Sequence, residues 1–331
     1  MLSAVLRYYE TPYARKETNA PVIWKKGSAR LLDYGYGVKN PKNIVLFVPS
    51  LINRYYILDL EQDRSFLKFL ATQDIYPLVM DWGVPSEFEE DFDCADYITK
   101  ILVPAIDFIC EFSAQPINLA GYCMGGVLAL AATKLKPTKI ISLALLATPW
   151  DFHSPEFAPF VLEKKWQEEI AKQIATQKTL PAEFIQSLFY LTDPFLFEQK
   201  FRRYLNMDEG SRLAKDFVAL EHWVNDGVPM TAGVAKDCLV GWVQENQLAT
   251  GKWKIANKKI TPPQSKLPTF IAIPKNDSVV PFACAMPLAT ATPHAHIVTP
   301  SAGHVGMIVG RSAEKELWSP YAQWLESVAK I

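Results

Sequence analysis

Six residues, Gly121-Tyr122-Cys123-Met124-Gly125-Gly126, constrain the fold of this chain more than any others. Pro116-Ile117-Asn118-Leu119-Ala120 before them reads as a short buried strand, and Val127-Leu128-Ala129-Leu130-Ala131-Ala132 after them reads as a helix. A strand, a sharp turn with a nucleophile at its tip and a helix make a nucleophile elbow, with cysteine in the place most often held by serine. The geometry accounts for the glycines. The nucleophile needs a strained backbone, and close helix–strand contact leaves no room for side chains at Gly121 and Gly125. The helix N-terminus behind Cys123 favours the thiolate and aims backbone N–H groups, that of Met124 first, at a developing oxyanion. The bland alternative is a small buried cysteine among glycines.

The rest of the chain alternates strand and helix around this point. Ile44-Val45-Leu46-Phe47-Val48-Pro49 and Ile140-Ile141-Ser142-Leu143-Ala144-Leu145-Leu146 are continuous apolar runs, as expected of parallel strands buried on both faces. Ile75–Trp82 reads as a strand that Pro77 marks as irregular or at an edge. Asp96–Phe112 reads as a helix that Pro104 kinks. The acidic stretch Glu87–Asp93 reads as a solvated face, and Ala29–Tyr34 as an edge strand. From about 152 to 262 the strand signal fades. Helical stretches follow at Phe157–Gln177, Ala182–Tyr190, Leu213–Trp223 and Val234–Gln247, dense in aromatics such as Phe184, Phe195, Phe197, Phe201 and Tyr204. Pro268–Pro274 and His296–Val298 then resume the strands, and Leu317–Val328 closes the chain as a helix. The expectation is an α/β-hydrolase: a mostly parallel, doubly wound sheet with an inserted helical cap. Residues 1–40 form a lead-in, 41–151 and 262–331 the core, and 152–261 the cap. A cap over the cysteine excludes water and shapes an acyl pocket.

An activated thiol needs a base, and the base needs an orienting group. In this fold the chain order is nucleophile, acid, histidine. Cys123, Asp277 and His304 fit it, and both partners follow the C-terminal end of a strand. Of the five histidines, His153 and His222 fall in or near the cap, His294 precedes the last strand and His296 begins it. Only His304 lies between glycines in a post-strand loop. Asp226 and Asp81 are the rival acids. The loop Pro49–Arg54, after the first buried strand, is expected to supply a second oxyanion N–H, from Leu51 or Ile52. Cysteine suits acyl exchange: a thioester made from a thioester lies nearly level with it, so the acyl group can be passed on.

Composition narrows the classes further. A formal net charge of −1 gives no reason to expect nucleic-acid binding. Five scattered cysteines form neither a disulfide framework nor a metal-ligand pattern, which suits a reducing cytoplasm. No secretory signal and no run long enough to span a bilayer is evident, and neither a cofactor nor a metal is expected.

Beyond these features, the chain resembles the polyhydroxyalkanoate synthases, especially the short class III catalytic subunits, over roughly residues 42–328. The carriers are Leu51-Ile52-Asn53-Arg54-Tyr55-Tyr56-Ile57-Leu58-Asp59-Leu60 with Asp63-Arg64-Ser65, then Asp81-Trp82-Gly83-Val84-Pro85, Asp96-Tyr97-Ile98 and the Gly121–Gly126 box. Glu221-His222-Trp223 with Asp226, Asn276-Asp277 with Val280-Pro281, and Gly303-His304-Val305-Gly306 follow. The resemblance implies a polymerase using (R)-3-hydroxyacyl-CoA, with the growing polyester carried on Cys123. His304 would deprotonate the thiol and the hydroxyl of the incoming monomer, with Asp277 orienting it. It also implies a homodimer, a second synthase subunit, and a place at the surface of polymer granules. Ser278 stands where that family usually has histidine. The alternative function is a cysteine-nucleophile thioesterase or esterase, and a non-enzymatic, granule-associated protein is a third reading.

Overall fold

The computed structural model describes residues 2–157, 164–192, 195–264 and 267–328. Eight strands form the central sheet: β1 Val22–Lys26, β2 Ala29–Asp33, β3 Asn43–Val48, β4 Ile75–Asp81, β5 Ile117–Tyr122, β6 Ile140–Leu146, β7 Thr269–Ala272 and β8 His296–Val298. Their spatial order is β1-β2-β4-β3-β5-β6-β7-β8. β1 and β2 are antiparallel, β2 joins β4 antiparallel, and every pairing from β4 to β8 is parallel.

Alternation along the inner strands explains the layers. Leu46 and Val48 of β3 enter one apolar cluster, and Val45 and Phe47 enter the other. Leu143 and Leu145 of β6 divide from Ala144 and Leu146 in the same way. Each strand therefore feeds two cores, one on each face of the sheet, and its sequence reads as apolar throughout. The first core packs on Val103–Ser113 and Met124–Leu135, and the second on Phe66–Ala71 and Ser319–Val328.

Four sequence expectations change. β4 is an interior strand despite Pro77. The β2 ladder begins at Asp33↔Leu78, so Pro77 lies just beyond it, and its carbonyl accepts the Tyr34 N–H at 3.1 Å. Ala29–Asp33 is one strand in from the edge, with β1 outside it. The acidic stretch is not all solvated: Glu89 is buried, and its carboxylate accepts the N–H groups of Ser28 (2.7 Å) and Ser86 (2.9 Å). At Pro104 the helix is prepared rather than kinked blindly. A π-type stretch over Tyr97–Leu102 runs straight into Val103–Ser113, with the Val103 N–H bonded to the Ile98 carbonyl, and this widened turn directly before Pro104 accommodates its missing N–H inside a continuous helix.

Between β6 and β7 lie the helices Lys164–Thr176, Ala182–Thr192, Leu196–Leu205, Arg212–Asn225 and the run from Ala232–Ala235 through Lys236–Gln244. Part of the helix expected at Phe157–Gln177 falls outside the described residues. The sequence reading had no helix at Leu196–Leu205, nor at Leu2–Glu10. These two pack together: Ala4 and Tyr8 join Phe201, Tyr204, Ala214 and Val218 in a small cluster of their own. Arg7 donates to the carbonyls of Tyr204, Leu205 and Met207 (3.1, 3.1 and 2.9 Å), satisfying the C-terminal end of Leu196–Leu205.

The turn between β5 and Met124–Leu135 is packed without slack. A Cβ on Gly121 would lie 2.4 Å from the Gly125 carbonyl oxygen, and one on Gly125 would lie 2.0 Å from that of Val48. Neither neighbour is a flexible side chain. Gly125→Ala should therefore cost about 3 kcal/mol of stability, read as a lower urea midpoint at unchanged slope. A midpoint within error of the native chain would contradict this packing.

Candidate active site

Cys123 sits at the tip of that turn with φ 55° and ψ −127°, a conformation that side-chain-bearing residues avoid. Two backbone bonds hold it there. Its N–H donates to the Leu146 carbonyl of β6 at 2.8 Å, and its own carbonyl accepts from Gly126 at 2.9 Å. The strain, about 1–3 kcal/mol, is offset by the packing of the elbow between two buried strands. The sulfur is left half-buried at the N-terminus of Met124–Leu135. Among the described residues the Met124 N–H has no acceptor, so it stands available beside the sulfur.

Asp277 and His304 come from the two loops that follow β7 and β8. These loops are tied to each other: Lys275 N–H donates to Pro300 O (2.9 Å), Asn276 N–H to Ala302 O (3.2 Å), and the Asn276 amide to Ser301 O (3.1 Å). Both carboxylate oxygens of Asp277 are engaged. Oδ1 accepts the N–H groups of Val279 (2.9 Å) and Val280 (2.8 Å), and Oδ2 meets His304 Nδ1 at 2.7 Å. With Nδ1 so occupied, Nε2 is left for the thiol, and Cys123 acts on the ring both as a charge and as a hydrogen-bond partner. The structure thus brings Cys123, His304 and Asp277 together, in the arrangement expected of a nucleophile, a base and an acid.

Burial on its own would lower the pKa of His304, but the Asp277 carboxylate and the Cys123 sulfur outweigh it and lift it to about 10. The imidazolium is the form this site stabilises. Tyr122 supports the ring from below: its hydroxyl donates to the His304 carbonyl at 3.2 Å, and the two rings lie 5.1 Å apart. Burial, then the nearby Cys123 and Asp277 charges, keep that phenol neutral. Sequence reasoning gives Tyr122 no role, although it lies inside the motif.

The rival groups are engaged elsewhere. Asp81 pairs with Arg30 and accepts the Gly83 N–H at 3.1 Å. Asp226 holds Arg54 (3.3 Å) and Tyr56 (2.9 Å). His153 contacts the Gln244 carbonyl at 3.1 Å, His222 packs between Tyr8 and Tyr13, and His296 stacks on Phe270. His294 lies in the turn before β8, with φ 62°.

The loop after β3 lies against the elbow. Trp82 Nε1–H donates to the Pro49 carbonyl at 3.0 Å, which gives the Asp81–Pro85 block a physical role that its sequence does not announce. Ile52 lines the cavity over Cys123, whereas Leu51 is buried and its side chain borders a small cleft with Trp82, Tyr97 and Met230. The Ile52 N–H is in a 3.2 Å bond with Ser50 Oγ, and the Leu51 N–H has no acceptor among the described residues. The cavity has a volume of about 390 Å³ and a largely apolar wall. Phe217, Leu220 and Val224 from Arg212–Asn225 form one side, and Val279 and Val305 the other. A largely buried ion pair, Lys200–Glu221 at 2.7 Å, borders it. Among the described residues no group of three or more His, Cys, Asp or Glu could hold a metal ion, the five cysteines are free, and no helix is long and apolar enough to cross a membrane.

A histidine whose proton is held more tightly in the native state adds stability only while that proton is bound. The contribution is complete below its ordinary value of 6.5 and is lost as the pH climbs through about 10. In NMR titration the His304 ring should remain protonated past pH 8, and Asp277→Asn should bring its titration down toward the ordinary histidine range. An unshifted titration in that variant would remove the carboxylate from this account.

Comparison with known proteins agrees with the geometry. A family model described as the alpha/beta hydrolase fold matches residues 93–311, and one described as the poly-beta-hydroxybutyrate polymerase (PhaC) N-terminus matches residues 15–70. The chain is 28% identical over 316 residues to a poly(3-hydroxyalkanoate) polymerase subunit PhaC of Haloferax mediterranei, covering 93% of this chain and 64% of that protein. It thus spans slightly under two thirds of that relative's length. It is also 28% identical to the subunit of the same name from Thiocystis violacea, covering 87% and 82%, and 26% identical to that of Synechocystis, covering 93% and 84%. Among solved structures, an esterase from Thermogutta terrifontis superimposes with TM-score 0.56 at 16% identity, covering 95% of this chain and 99% of that one. An enol-lactonase from Burkholderia xenovorans gives 0.57 at 15%, covering 90% and 96%. At such identities these two likenesses speak for the fold alone. The chain belongs to the alpha/beta hydrolase fold family and, within it, is a relative of the poly(3-hydroxyalkanoate) polymerases.

Proposed function

We propose that this protein is an acyltransferase that polymerises (R)-3-hydroxyacyl-CoA into polyester through a thioester on Cys123. The observation that carries the reading is a cysteine, rather than a serine, at the strained elbow with His304 and Asp277 aligned behind it. The Cys123 thiolate attacks the thioester carbonyl of the substrate. The oxygen that becomes negative is met by the Met124 N–H and by an N–H of the loop after β3, from Leu51 or Ile52. The bond to the CoA sulfur then breaks, and the proton on His304 goes to the departing thiolate. A hydroxyl from a second hydroxyacyl unit next gives its proton to the now neutral His304 and attacks the Cys123 thioester. An ester bond forms, and the cysteine leaves as thiolate to begin again. Asp277 holds the ring through Nδ1 during both transfers. The apolar cavity wall suits an aliphatic acyl group, and it limits the water that would otherwise take the hydroxyl's place.

The relatives are named as polymerase subunits, which supports a second synthase subunit for this chain as well. We extend the reading to a homodimer working at the surface of polymer granules in the cytoplasm. No bound cofactor enters this scheme, since CoA arrives and leaves with the substrate.

One feature favours the hydrolytic alternative. Ser278, in place of the family's usual histidine, stands exposed on the cavity wall next to Asp277, where it leaves room for water. Purified protein given 3-hydroxybutyryl-CoA should release CoA and deposit insoluble polyester, and Cys123→Ala should lower CoA release by at least about a thousandfold. Free 3-hydroxybutyrate as the sole acyl product would contradict polymerisation and favour the thioesterase reading.

A further inference from the structure

The loop after β3 is held from two directions. On the core side, Trp82 grips the Pro49 carbonyl and Gly125 packs against Val48 O. On the other side, residues 223–228, at the end of the cap helix Arg212–Asn225, grip it at several points, with Arg15 also stacked on the Tyr56 ring. Trp223 Nε1–H donates to the Arg54 carbonyl at 2.9 Å. Asp226 accepts from Arg54 Nε at 3.3 Å and from the Tyr56 hydroxyl at 2.9 Å. Val228 N–H donates to the Ile52 carbonyl at 2.9 Å, and Asn53 and Gly227 form an isolated antiparallel bridge. Contacts at four residues, Ile52, Asn53, Arg54 and Tyr56, thus bind the loop after β3 to the cap. The same cap helix walls the cavity with Phe217, Leu220 and Val224.

We propose that residues 223–228 position the oxyanion loop, so that its N–H stands correctly opposite Cys123 only while the base of the cap is seated. Trp223 and Asp226 are the positioning residues. Leu51 and Ile52 form the stretch that bridges the core grip and the cap grip, and this stretch must present the donor. A cap helix that shifts when the cavity fills or empties carries this loop with it, so filling the cavity and completing the oxyanion site become one event. Such coupling confines attack on a carbonyl to the state in which the acyl group is enclosed. The inference rests on the acyl-transfer reading only in requiring that Cys123 attack a carbonyl.

The test separates reactions that need an oxyanion site from one that does not. Attack of Cys123 on p-nitrophenyl acetate or on 3-hydroxybutyryl-CoA builds negative charge on oxygen. Alkylation by iodoacetamide displaces iodide from a saturated carbon and reports the thiolate and its access alone. In Asp226→Ala and in Trp223→Phe, acylation by p-nitrophenyl acetate should slow by at least about tenfold. The rate of alkylation and its pH profile should match those of the native chain. Asp226 is half-exposed, so its variant tests the coupling even if Trp223→Phe fails to fold. Equal losses in acylation and alkylation, or no loss in acylation, would overturn the proposal. A native chain that reacts with the ester but not with the CoA thioester would count against the polymerase reading, while the ester still measures the coupling.

Discussion

The geometry of the candidate site depends on holding one residue, Cys123, at φ 55°. That conformation is costly for a residue with a side chain and is never adopted for local reasons. It persists because β5 and Met124–Leu135 approach so closely, through Gly121 and Gly125, that no relaxed turn fits between them. The carbonyl that Gly125 touches belongs to Val48, the last residue of β3. One close contact therefore fixes Cys123, the start of the helix behind it and the root of the loop after β3 together. The two apolar layers that enclose the sheet supply the rigidity this contact needs.

The second constraint is electrostatic. An imidazole buried as deeply as His304 resists protonation unless something close by is negative. Asp277 meets that need at 2.7 Å, and its other oxygen is tied to two backbone N–H groups, so the carboxylate cannot turn away. The ring is in turn kept at its height by Tyr122, the residue directly before the nucleophile in the chain. Cys123 and the His304 ring are thus set by neighbouring residues of one strand end, which leaves little freedom for the distance between them to drift. Phe217, Leu220 and Val224 of Arg212–Asn225 then supply much of the apolar wall above them.

How much of this could be read from the sequence depended on the range of the interactions involved. The elbow was legible because its glycines, cysteine and helix lie within a dozen residues and each answers a local steric demand. Asp277 and His304 were legible through chain order and the glycines around His304. Pro77 misled because the loss of one N–H matters only if a neighbour needs it there, and the length of β2 decides that. Glu89 misled because its two N–H partners lie on Ser28 and Ser86, and an acidic run looks solvated from composition alone. The helix at Leu196–Leu205 was hidden by its aromatics, whose burial comes from Leu2–Glu10, nearly two hundred residues earlier. The stitching of Arg54 to Trp223 and Asp226 left only a weaker trace, in the blocks that resemble the polymerases, with nothing to say that those blocks touch.

The central claim is that Cys123 carries the acyl group between donor and acceptor. It is tested most directly by mixing native protein with 3-hydroxybutyryl-CoA, quenching in acid within the first turnover and mapping the peptides by mass spectrometry. The account predicts a 3-hydroxybutyryl adduct on the peptide containing Cys123, released by neutral hydroxylamine as a thioester is. CoA released with Cys123 unmodified at every quench time, or an adduct found on another side chain, would contradict it.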